Sequence, residues 1–70
     1  MKLLMIVEET PTGFSAYSPD VPGCVATGAT RAEVEAEMTS AVAFHLEGLR
    51  AAGESLPESR AYAKVVEVAG

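Results

Sequence analysis

Only one stretch of this chain has the length and hydrophobic period of an α-helix, and a single helix can cover only one face of a sheet. The stretch opens at Thr30, which forms a capping box with Glu33, so that two free backbone amides find acceptors. Gly53 is placed to end the helix at the position just beyond its last turn. The predicted helix covers residues 31–52, and the rest of the fold has to be built around it.

One side of the predicted helix carries an apolar stripe at the helical period. Its members are Val34, Met38, Ala41, Val42, His45, Leu46, Leu49 and Ala52. His45 is the only histidine, and its place in the stripe favours a packed core side chain over a metal ligand or a pH-sensitive contact between subunits. Phe44 falls off the stripe, which indicates a second contact, made either with a wide core or with another subunit.

Four further segments have the length and composition of β-strands and give the order β-β-β-α-β. Residues 2–8 hold a continuous apolar run, typical of a central strand, and residues 14–18, 24–28 and 61–68 follow. Proline and glycine punctuate the chain before the second and third segments. With a right-handed crossover through the helix, the pattern predicts an α+β fold. Its four-stranded sheet has the order 3-2-1-4, with one face left uncovered by the helix.

Length and charge exclude most classes of function. Seventy residues form one domain, residues 1–70, and ten acidic against five basic residues, a net charge of −5, argue against direct binding of nucleic acid. One cysteine cannot form an internal disulfide, and the apolar run at residues 3–7 is too short to cross a bilayer. We expect a cytoplasmic protein without a metal or cofactor. The absence of Asn and Gln favours a thermophilic source or a GC-rich genome.

Several motifs together resemble the HicB-like antitoxin family. They are the apolar first strand, GFSAYSPDVPGC at residues 13–24, GAT at 28–30, HLEGL at 45–49 and GESLPE at 53–58. The PDVPGC part is the most specific, and the resemblance covers nearly the whole chain. It implies that the β-β-β-α-β unit is one half of a ribonuclease-H-like sheet.

The resemblance also implies a role in a toxin–antitoxin system. HicB antitoxins bind and mask HicA, a small toxin that cleaves messenger RNA, and many of them carry a C-terminal DNA-binding segment. The sequence stops two residues after the predicted fourth strand, so we expect no such segment and no direct binding of DNA. The acidic balance favours a basic protein partner, because opposite charges steer two proteins together.

The PDVPGC motif supplies four candidate contact residues: Asp20, Pro22, Gly23 and Cys24. The structural alternative for Asp20 is a turn carboxylate bonded to nearby amides, and for Cys24 it is a half-buried residue at a strand start. Pro22 and Gly23 would then fix the entry to the third strand. A metal-dependent nuclease needs several converging carboxylates, and the first strand holds none before Glu8. We therefore expect no enzyme.

Exposed acids and aromatics supply the remaining candidates. Glu33, Glu35 and Glu37 form either a solvated helix start favoured by the helix dipole or an acidic patch facing a basic partner. Phe44 and Tyr62 are candidate anchors of an interface. The uncovered sheet face predicts self-association as a dimer or tetramer. The expected function is an antitoxin-type binding module, and the alternative is a homo-oligomeric scaffold or regulatory domain without a toxin.

Overall fold

The chain forms a three-stranded sheet followed by one helix, as described for all residues, 1–70, by a computed structural model. The elements are β1 (Ile6–Thr10), β2 (Gly13–Tyr17), β3 (Val25–Gly28) and α1 (Arg31–Ala51). The strands are antiparallel neighbours in the order β1-β2-β3. The predicted α+β class and the 3-2-1 part of the predicted sheet order are confirmed. The one helix is not both long and apolar enough to cross a membrane.

β1 begins at Ile6, four residues later than the start predicted from the apolar run. Ile6 pairs with Tyr17, the last residue of β2. After Tyr17 the segment that follows β2 turns away from β1. The backbone amide of Leu4 donates instead to the carboxylate of Asp20 at 2.8 Å. The apolar run is therefore longer than the strand, because β2 offers no partner for its first residues.

The helix α1 begins as its capping box predicts. The Thr30 hydroxyl accepts the Glu33 amide at 3.1 Å, and the Glu33 carboxylate accepts the Ala29 amide at 3.0 Å. The helix ends one residue earlier than predicted, with Ala52 as the C-cap. Gly53 follows with a φ of +70°, the left-handed conformation that favours glycine at this position.

The core lies between α1 and one face of the sheet. Its fully buried cluster is Ala16, Val34 and Met38, and a ring of partly buried side chains packs around it: Met5, Val7, Phe14, Cys24, Ala26 and Val42. Leu46 is buried as well. The predicted stripe is confirmed at these helix positions but wrong at His45 and Ala52, which are exposed. His45 lines an open groove between α1 and the entry to β3 instead of the core.

The predicted fourth strand is absent from the single chain. Residues 62–70 are exposed and make no hydrogen bond within the chain. The radius of gyration is 14.0 Å and the longest dimension is 50 Å, whereas a compact domain of this length has a radius of gyration of about 11 Å. After Ala61 the chain extends away from the sheet instead of running along β1. The expected 3-2-1-4 order is therefore not formed by one copy.

The face of the sheet opposite α1 is uncovered, as predicted. Ile6, Tyr17 and Val25 stand side by side across the three strands on this face, and Tyr17 and Val25 expose 43% and 70% of their surface. The next row, Glu8, Ser15 and Thr27, is polar. The uncovered face is therefore apolar at one end only.

Candidate protein-binding site

Asp20 is a buried carboxylate that joins three separated parts of the chain. Its Oδ2 atom accepts the Leu4 amide at 2.8 Å and the Ser59 hydroxyl at 3.2 Å. Its Oδ1 atom accepts the backbone amides of Arg60 at 3.2 Å and Ala61 at 3.3 Å. The structural alternative expected bonds to nearby amides, but these partners are distant in sequence. The carboxylate acts as a long-range clamp, which the sequence pattern did not predict.

Two short turns hold Asp20 in this position. The Ser18 hydroxyl accepts the Asp20 amide at 3.2 Å, and the Val21 and Cys24 amides donate to the carbonyls of Ser18 and Val21, both at 3.3 Å. Val21 is only 1% exposed and anchors the loop in the protein interior. Gly23 closes the second turn with a φ of +87°, where a side chain would be strained.

The hydrogen bonds to Asp20 favour its charged form. The Leu4 amide is the largest influence lowering the pKa of the Asp20 carboxyl below its ordinary value; burial opposes it, and the donors at Arg60, Ser59 and Ala61 reinforce it. The carboxylate has four donors of its own chain around its two oxygens. No three His, Cys, Asp or Glu side chains are grouped so that they could hold a metal ion. The arrangement gives Asp20 a structural task.

A shallow apolar groove, the β3–α1 groove, lies between the entry to β3 and the C-terminal half of α1. It is lined by Gly23, Cys24, Val25, Ala41, Phe44, His45, Gly48 and Leu49. Three of the candidate contact residues, Gly23, Cys24 and Phe44, are thus brought together from two different elements. Phe44 exposes 79% of its surface and Val25 exposes 70%. The groove presents apolar surface that this chain does not cover.

Several acidic side chains lie on the same side of α1 as Phe44. Glu33 and Glu37 precede Phe44 by eleven and seven residues, and Glu47 follows it by three. At about 100° per residue these positions share one side of α1, and all four side chains are exposed. Glu35 falls on another side. The acidic patch beside the groove therefore consists of Glu37 and Glu47, with Glu33 occupied by the capping box.

The remaining candidates lie outside the groove. Pro22 is exposed next to Gly23 but does not line it, and Tyr62 stands 83% exposed in the segment after Ala61. The groove also contains residues that the sequence argument missed, above all Gly48. Its spacing of four residues from Phe44 was the available signal, since a glycine there leaves a gap beside the aromatic ring.

Two known proteins share this fold or sequence. One chain of the solved "HicA3 and HicB3 toxin-antitoxin complex" is 33% identical with a TM-score of 0.61, covering 77% of this chain and 66% of that chain. An uncharacterized 14.9 kDa protein in the rep-hol intergenic region of Haemophilus phage HP1 (strain HP1c1) is 38% identical over 53 residues. That alignment covers 76% of this chain and 40% of the phage protein, so the chain spans less than half of the phage protein's length.

The family profile described as "HicB_like antitoxin of bacterial toxin-antitoxin system" matches residues 3–69. The match and the shared fold place the chain among the antitoxin domains of bacterial toxin–antitoxin systems. Within that class the chain belongs to the HicB-like antitoxin family. The resemblance carried by the PDVPGC stretch and the helix motifs is thereby confirmed, over nearly the whole chain.

Proposed function

We propose that this domain is a protein-binding module that masks a small, basic, RNA-cleaving toxin of the HicA type. The family match over residues 3–69 carries the proposal, and the likeness to a chain of the HicA3 and HicB3 complex supports it. Masking requires only that the antitoxin cover the surface with which the toxin binds or cleaves RNA. The mechanism is steric and electrostatic, and no catalytic group of this chain takes part.

The β3–α1 groove is the proposed contact surface. Aromatic residues at the centre of an interface commonly dominate its binding energy, and Phe44 lines this groove with 79% of its surface exposed. Ala41 and Leu49 of the same helix also line the groove. An apolar centre with a charged rim is the usual anatomy of a protein interface, and Glu37 and Glu47 provide that rim.

The charge of the chain supports a basic partner. A toxin that holds RNA needs cationic groups against the phosphates, whereas this chain carries a net charge of −5. Acidic side chains beside the groove would accelerate the encounter and fix its orientation, more strongly at low salt. The same negative charge opposes direct binding of DNA by this domain.

The test is co-expression with a HicA-type toxin, read out as growth rescue and as a complex in pull-down. The variant Phe44→Ala removes the proposed anchor, and Tyr62→Ala removes an equally exposed aromatic outside the groove. We expect Phe44→Ala to weaken the affinity for the toxin at least about 30-fold, or about 2 kcal/mol. The control variant Tyr62→Ala is expected to stay within about threefold of the unmodified chain, well below one hot-spot contribution.

The possible outcomes distinguish a failure of the antitoxin proposal from a failure of the β3–α1 groove as the contact surface. Absence of both a complex and growth rescue would contradict the antitoxin proposal and favour a homo-oligomeric scaffold or regulatory domain. A stable complex that Phe44→Ala leaves unchanged would retain the antitoxin function and refute the groove as its contact surface.

A further inference from the structure

Residues 61–68, here called the tail, have the composition of a β-strand but no partner within the chain. Tyr62, Val65, Val66 and Val68 expose 83%, 89%, 66% and 83% of their surface. Aromatic and β-branched residues favour strands. An extended run of such residues with unpaired backbone groups is a ready template for pairing with another chain.

The strand β1 offers the complementary feature, a free edge. It pairs with β2 on one side only, and its sequence IVEET contains no proline. The backbone groups on its other side are therefore open to a further strand. At about 3.3 Å per residue, the eight tail residues reach about 26 Å and the five residues of β1 about 17 Å. The tail is long enough to cover the whole edge.

The Asp20 clamp determines where the tail leaves the domain. The same carboxylate holds the amide of Leu4, two residues before β1, and the amide of Ala61, the first residue of the tail. The tail therefore departs beside the start of β1. It does not fold back along that edge, because residues 62–70 make no hydrogen bond with their own chain.

We propose that two copies of this chain exchange tails, each tail adding an outer strand to β1 of the other copy. When a two-fold axis passes between the β1 edges of two copies, the tail of each copy lies beside β1 of the other. Both tails are then paired, and the assembly is a closed dimer. Each sheet then has four strands, with the partner's tail next to β1. This assembly is independent of the proposed toxin contact in the β3–α1 groove.

The side chains of the two strands complement each other. Ile6 and Glu8 lie on the uncovered face of the sheet, and Tyr62, Lys64 and Val66 share one face of the extended tail. With Lys64 placed opposite Glu8, Tyr62 and Val66 flank the ion pair and one of them lies beside Ile6, in either strand direction. Opposite charges and apolar neighbours across strands both stabilise a sheet.

Sedimentation of the 70-residue chain at micromolar concentration tests the exchange, with two double-proline variants of the tail. One variant combines Ala63→Pro with Val65→Pro, and the other combines Lys64→Pro with Val66→Pro. The backbone amides of successive residues point to opposite sides of a strand. One pair of prolines therefore removes hydrogen-bond donors that face β1, and the other pair removes donors that face solvent. A strand at the edge of a sheet tolerates proline only where the missing donor would face solvent.

The unmodified chain is expected to sediment with at least twice its mass of 7.3 kDa. The double variant whose prolines face β1 should raise the dissociation constant of the assembly at least about tenfold more than the other, because it loses hydrogen bonds of the strand in addition to side-chain contacts. A monomeric unmodified chain, or two double variants with equal effects, would overturn the proposal. Loss of the circular dichroism signal of α1 in either variant would also overturn it, because the tail would then belong to the core of its own chain.

Discussion

The contrast between Met38→Ala and Phe44→Ala tests whether the core lies where the structure places it. Met38 is fully buried, with 0% of its surface exposed, and it joins Ala16 and Val34 in the central cluster. Phe44 is the larger side chain on the same helix, but it is 79% exposed. Side-chain size alone predicts the greater loss at Phe44, whereas burial predicts it at Met38.

The burial of Met38 sets the size of the expected effect. Truncating a fully buried methionine to alanine costs about 2–5 kcal/mol, because transfer free energy is lost and a cavity remains. A domain of this length is stable by about 4–10 kcal/mol. Met38→Ala should therefore remove at least about a fifth of the free energy of unfolding. Phe44→Ala should change it by no more than about 0.5 kcal/mol, as is typical of exposed positions.

Urea unfolding followed by circular dichroism measures both variants at one protein concentration, since self-association would make the midpoint depend on concentration. A free energy loss at Phe44→Ala equal to or larger than the loss at Met38→Ala would refute the assignment of the core. A nearly unchanged midpoint for Phe44→Ala has a second use, because it shows that any loss of toxin binding in this variant is not caused by unfolding.

Four further substitutions test individual positions of the fold. The pKa of Asp20 is lowered by folding, so its contribution to stability is present above the ordinary pKa of an aspartate and is lost as pH falls through the lowered value; Asp20→Asn should reduce the urea midpoint at pH 7 and flatten its fall in acid. Gly28→Ala places a Cβ 2.7 Å from the Val34 backbone nitrogen and should lower the melting temperature, whereas Gly48→Ala meets nothing within 4 Å and should raise helix stability by about 0.5–1 kcal/mol. Thr30→Ala removes the cap of α1 and should cost about 1 kcal/mol in urea unfolding; an unchanged midpoint would contradict the cap.

Local signals in the sequence were sufficient for the helix and the hairpin. The Thr30 cap and Gly53 mark the two ends of α1 because capping is a contact between near neighbours. The alternation in β2 and the turn before it give the β1–β2 pairing for the same reason. The burial of Val34, Met38 and Leu46 follows from helical period alone.

Long-range contacts account for what the sequence could not predict. Asp20 accepts amides from segments that lie before β1 and after the helix, and no local pattern marks such partners. The sequence pattern of the tail predicts a β-strand, but a strand forms only beside a neighbouring strand, and a single chain does not supply one to the tail. His45 was expected in the core because helical period does not reveal that this position faces an open groove.

Inhibition of toxin cleavage tests the central claim, masking of a HicA-type toxin, most directly. A fixed amount of the purified toxin cleaves a labelled RNA while increasing amounts of the 70-residue chain are added. We predict that cleavage stops near one antitoxin chain per toxin and that Phe44→Ala shifts the inhibition curve to higher concentration. Cleavage that continues at full rate with the chain in large excess would contradict the claim.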